Sequence, residues 1–67
     1  MSMLAALTEA LVTSHTLCRE MTKAYLAVPL DAPDKADAYL TMCEACRKEL
    51  EASEALLAER ERILAKA

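Results

Sequence analysis

The stretch VPLDAPD, residues 28–34, is the only punctuation in a chain of 67 residues, and it decides the fold. Pro29 disfavours the α conformation at Val28, so a first helix should end there. Asp31 can then cap a second helix, with Pro33 tolerated in its first turn. Asp34 and Asp37 add negative charge near that helix start, where the backbone dipole favours it. Working outward, the pattern predicts helix 1 over about residues 3–28, a turn at 29–31 and helix 2 over about 32–65. A connection this short makes the helices antiparallel neighbours within a single domain spanning 1–67.

Composition points the same way. The chain has no Gly, Trp or Phe, while Ala, Leu, Glu, Lys and Arg abound. Without Gly, the positive-φ turns of tight β-hairpins are hard to build. An all-α chain is expected. A polypeptide of this length buries only about 60% of its unfolded surface. Such a core rarely supplies more than roughly 3–5 kcal/mol without a staple, a metal or a partner. The net charge of −3 disfavours a phosphate-binding surface, so no nucleic-acid partner is expected. An RNA-binding dimer of hairpins ranks third among the functional readings for that reason. No uncharged apolar run approaches the roughly 20 residues of a membrane span. The opening MSMLAALTEALV lacks the basic region of a signal peptide. Three cysteines, an odd number, suit a reducing compartment better than a disulfide framework, so a cytoplasmic setting is expected.

Both helices carry apolar heptads. In helix 1, positions spaced alternately three and four are Leu4, Leu7, Leu11, Ser14, Cys18, Met21, Tyr25 and Val28. In helix 2 the same spacing runs through Ala36, Tyr39, Cys43, Cys46, Leu50, Ser53, Leu57, Arg60 and Leu64. These two rows predict the seam of a coiled-coil-like hairpin. Antiparallel pairing about the turn makes facing residue numbers sum to about 64, which sets Cys18 against Cys46 and Met21 against Cys43. Small opposite large in adjacent layers suits interdigitated packing, as with Ser14 against Leu50 and Leu11 against Ser53. Tyr25 and Tyr39 should meet near the turn, and Arg60 should lie near Leu4.

A second apolar stripe sits beside that seam. Helix 1 adds Met3, Ala10, Leu17 and Ala24, with Val12 and Leu26 further round, and helix 2 adds Met42, Leu56 and Ile63. Two helices packed only on each other need a narrow seam, whereas bundle helices need a wider face. Leu17, Met42, Leu56, Ile63, Val12 and Leu26 are therefore the candidate partner-binding residues. They predict a hairpin that completes a four-helix bundle, either as a homodimer or on an amphipathic helix of another protein. The remaining face of helix 2 offers the pairs Glu44–Lys48, Arg47–Glu51 and Glu59–Arg62, which should be solvated.

The C-x-x-C of Cys43 and Cys46 is the one hint of chemistry. With Cys18 and His15 it could form a Cys3His zinc site, and Met21 and Met42 nearby would favour Cu(I) instead. A metal-binding hairpin is thus the alternative function. All three cysteines, however, fall on seam positions, where Cys behaves as a small buried hydrophobe. A Cys18–Cys46 disulfide on oxidation is a further option. Thioredoxin-like chemistry needs a thiolate at a helix N-terminus, and Cys43 lies well inside helix 2. One His and no Gly-rich loop leave no catalytic set, so no enzyme activity, cofactor or small-molecule substrate is expected.

In length, two-helix layout and the segment DKADAYL at 34–40, the chain resembles the small E-type co-chaperones of bacterial type III secretion systems. That resemblance implies a helical hairpin that keeps a needle subunit monomeric before export. It rests on architecture and not on a motif, since the Gln-rich second helix associated with that family is absent here. From the residues themselves, the expected function is a non-enzymatic interaction module acting by helix-on-helix packing.

Overall fold

The computed structural model describes residues 2–66 and contains two helices packed against each other as an antiparallel hairpin. Helix α1 runs Met3–Ala27 and helix α2 runs Lys35–Lys66. Ser2 caps α1, its hydroxyl accepting from the Ala5 amide at 3.1 Å. The helix ends where Pro29 requires: Val28 is extended, at φ −81° and ψ 128°.

The connection is longer than the predicted three-residue turn. Two successive turns follow α1, with the Ala32 amide donating to the Pro29 carbonyl at 3.1 Å and the Lys35 amide to Ala32 at 3.2 Å. Helical bonding then starts from the Asp34 carbonyl, which accepts from the Ala38 amide at 3.0 Å. Asp34, and not Asp31, occupies the capping position, and α2 begins three residues later than 32. The reason is Pro33. It withholds the α conformation from Ala32 just as Pro29 does from Val28, so the helix cannot start before it.

Lys35 then ties the corner together. Its ammonium donates to the carbonyls of Tyr25 at 2.7 Å and Val28 at 2.8 Å, at the C-terminus of α1. It also lies 3.8 Å from the centre of the Tyr25 ring. A cation there adds a donor to carbonyls of the last turn, where Tyr25 otherwise accepts only from the Val28 amide at 3.2 Å, and complements the negative end of the helix dipole. The Tyr25 and Tyr39 rings meet 5.7 Å apart, closing the same end of the hairpin.

On α1 the predicted row faces inward. Leu7, Leu11, Ser14, Cys18, Met21, Tyr25 and Val28 are half-buried, and Leu4 is marginally exposed. On α2 the inward row is displaced by one residue from the prediction. It runs Lys35, Ala38, Met42, Ala45, Glu49, Ala52, Leu56 and Glu59, again spaced three and four. Ala38, Ala45 and Ala52 recur every seven residues on this face, and Ala45 is only 5% exposed. Small side chains set against the larger α1 row let the two layers interdigitate. The axial register is the predicted one: His15 meets Glu49 and Tyr25 meets Tyr39, each pair summing to 64. The helix is turned, and not slid.

The core this creates is thin. Ala45 is the one buried apolar residue among the described residues, and none is fully buried. The radius of gyration is 15.7 Å, whereas a globular domain of this length would have about 11 Å. Replacing Lys35 with Met keeps the aliphatic stem but removes both carbonyl contacts. We expect a loss of about 1–3 kcal/mol of stability in chemical denaturation, the range for part-buried hydrogen bonds to a charged group. A Lys35→Met variant as stable as the parent would show that the corner holds without this contact.

Candidate functional site

Turning α2 by one residue exchanges what is covered and what is left outside. The row predicted as seam now faces out: Tyr39, Cys43, Cys46, Leu50, Leu57, Arg60 and Leu64 are all exposed, with Ser53 half-buried at its edge. Leu50, Leu57 and Leu64 are 59%, 52% and 62% exposed. They stand seven residues apart, so they lie almost directly above one another on the helix surface. Isolated exposed leucines are ordinary, but an exposed heptad is the pattern by which one helix docks on another. The uncovered row of α2 is the candidate site.

The six residues predicted to bind a partner do not share one face. Met42 and Leu56 belong to the seam, half-buried against α1. Leu17 and Ile63 are exposed, and Leu17 lines a shallow groove with Met21, Thr41, Glu44, Ala45 and Lys48. Val12 and Leu26 are also exposed. Val12 lines a second groove, with Leu11, His15, Glu49 and Ser53, on the other flank of the seam. That flank adjoins the uncovered row of α2. The alanine heptad was the available signal for this arrangement: three alanines at a period of seven mark a face made for close approach as clearly as leucines mark a stripe.

The three predicted ion pairs of α2 all form. Lys48 lies 4.0 Å from Glu44, Arg47 donates to Glu51 and Arg62 to Glu59. Two of them sit on the exposed face as expected. Glu59, however, is 7% exposed and belongs to the seam. The guanidinium of Arg62 holds its carboxyl below the usual range, mainly by hydrogen bonding, against the opposing effect of burial. Arg60 lies on the exposed row and not in the seam near Leu4.

Cys18 and Cys46 come together, but Cys43 and His15 do not join them. His15 donates from Nδ1 to the Glu49 carboxylate, at 3.1 and 3.2 Å from its two oxygens. Cys43 hydrogen-bonds with Tyr39, which raises the Tyr39 phenol above its usual range, with the nearby Cys43 charge and burial adding to the effect. Cys18, half-buried, hydrogen-bonds with Cys46, and that bond followed by burial pushes the Cys18 thiol up to about 11. Among the described residues no three His, Cys, Asp or Glu side chains are placed to hold a metal ion, so the His15, Cys18, Cys43 and Cys46 set is not assembled. Among the same residues, no helix is long and apolar enough to cross a membrane.

The surface of α1 is bland for a specific reason. The hydroxyls of Thr8, Thr16 and Thr22 donate to carbonyls four residues back, at 2.8, 3.0 and 2.8 Å. They are satisfied by their own helix and make little demand on water or on a partner. Comparison with protein-family models, with curated proteins and with solved structures finds no match to this chain.

Two outcomes follow from this geometry. Leu56→Glu places a charge in the seam and should melt the hairpin, whereas Leu57→Glu, one residue on, should leave the circular dichroism of the helices nearly unchanged. Equal helix loss in both variants would put the wrong face of α2 against α1. In alkylation at pH 8, well below its raised pKa, Cys18 should react slowest of the three cysteines, by roughly tenfold or more, because only the thiolate is nucleophilic. Cys46→Ala should speed Cys18 markedly, since the hydrogen bond that raises its pKa is then gone.

Proposed function

We propose that this chain is a non-enzymatic protein–protein interaction module whose working surface is the uncovered apolar row of α2, flanked by Val12 of α1. The observation that carries this is an unpartnered heptad on a hairpin with almost no core of its own. Leu50, Leu57 and Leu64 each forgo part of the roughly 1.5–3 kcal/mol that burying a leucine is worth. The seam does not need them, because the alanine face already packs against α1. Their burial is available only to a further helix.

The mode of recognition is helix on helix, with anchors spaced three and four along the row. The ion-paired face bearing Glu44 and Lys48 supplies the opposite, solvated side. A small chaperone that sequesters an amphipathic segment of its client, the role implied by the resemblance to type III secretion co-chaperones, is one form of this function, and an adaptor or inhibitor is another. All of them use the same row. A photoreactive residue installed at Leu57 should give a discrete adduct, with itself or with a foreign chain, in the native cell. The same residue at Lys48 should give none. Adducts at both positions, or at neither, would sink the assignment of the row as a docking surface.

A further inference from the structure

We infer that the occupant of the uncovered row is a second copy of this chain, with the two α2 helices antiparallel about a two-fold axis near Leu50. This deepens the proposed function and rests on it. Three features of the molecule point to self-association and not to a foreign helix, and a fourth supplies the area it needs.

The first is the distribution of side-chain size along the row. At every seventh position it runs Ala36, Cys43, Leu50, Leu57 and Leu64, small in the N-terminal half and large in the C-terminal half. Antiparallel pairing about Leu50 sets Leu57 against Cys43 of the second copy and Leu64 against Ala36. Large meets small in these two layers, as interdigitated packing favours, and Leu50 meets its own copy at the axis. Parallel pairing would stack leucine on leucine at one end and leave a gap between alanines at the other. The second is extent: the row covers positions 36–64 of a helix running Lys35–Lys66, so a reversed copy overlays it along its whole length. A self-complementary patch of this kind is what a closed two-fold interface needs.

The third is charge. Asp31, Asp34 and Asp37 against the single Lys35 leave the start of α2 at −2, while Arg60, Arg62 and Lys66 against Glu59 and Glu61 leave its end at +1. Antiparallel pairing brings each acidic start beside the other copy's basic end, and Arg60 on the row comes near Asp37. Complementarity of this sort fixes orientation more than it adds affinity. The fourth is area. A compact monomer of 7.3 kDa exposes about 4,200 Å², whereas this hairpin exposes 5177 Å², an excess of about 1,000 Å². A standard interface takes about 800 Å² from each partner. The surplus is sufficient for one.

Light scattering at micromolar concentration should report twice the 7.3 kDa chain mass, and Leu50→Glu with Leu57→Glu should reduce it to the chain mass. Orientation is read in a background in which Cys18→Ser, Cys43→Ala and Cys46→Ala remove the native thiols. There, Leu50→Cys should cross-link to itself under a mild thiol–disulfide buffer, because the axis brings the two copies of that position together. Leu64→Cys should not, because it faces Ala36 of the other copy. Self-cross-linking at 64 in preference to 50 overturns the antiparallel arrangement. A parent chain that stays monomeric up to roughly hundred-micromolar concentration, enough to populate even weak complexes, overturns the second copy as occupant. In that case a discrete foreign adduct from the Leu57 photoprobe would leave the interaction module standing with another partner, and the lack of any adduct would remove both.

Discussion

Side-chain size at three positions governs this molecule. Ala38, Ala45 and Ala52 place a small group every seven residues on one face of α2, and that face is the one α1 packs against. Helix pairs can approach more closely where the contacting side chains are small. Leu7, Leu11, Met21 and Tyr25 of α1 supply the volume that α2 lacks, so the seam fills from one side. A leucine face on α2 would have packed too, but against a row that is already large. The alanines leave room, and the leucines are left over.

Everything exposed on α2 follows from that choice. Positions one residue apart on a helix point about 100° apart, so turning the alanines inward carries Leu50, Leu57 and Leu64 round to the flank. It also carries Glu49 and Glu59 into the seam, where each has a partner: His15 for Glu49 and Arg62 for Glu59. A carboxylate in such a place is tolerated because it is paired and hydrogen-bonded. The same rotation leaves His15 and Cys43 away from the Cys18–Cys46 pair, so the four are not gathered. What looked like a possible metal site becomes a thiol pair, a tyrosine contact and a histidine–carboxylate hydrogen bond.

The corner obeys a different constraint, the two prolines. Each restricts the residue before it, so the connection needs two turns and α2 starts at Lys35. That start has a consequence for stability. It puts the Lys35 ammonium within reach of the last carbonyls of α1, so the first residue of one helix caps the other. Together with the Tyr25–Tyr39 contact this holds the end of a hairpin that has little hydrophobic core elsewhere.

The all-α class, the break at residues 28–34, the antiparallel order and the inward row of α1 were legible in the sequence, because each depends on local rules: proline sterics, the absence of Gly and one unambiguous heptad. The axial register was legible too, since a short connection leaves little freedom to slide. The inward row of α2 was not. Its residues fit two heptads one position apart, Ala36–Leu64 and Lys35–Glu59, and periodicity weighs apolar character without regard to volume. Only the tertiary structure decides between them, because the decision belongs to the pair of helices: a row is inward by virtue of what it meets on α1. The same holds for the functional surface. The apolar residues were visible from the start, but which of them stabilise the hairpin and which remain for a partner depends on a rotation that only packing against α1 determines.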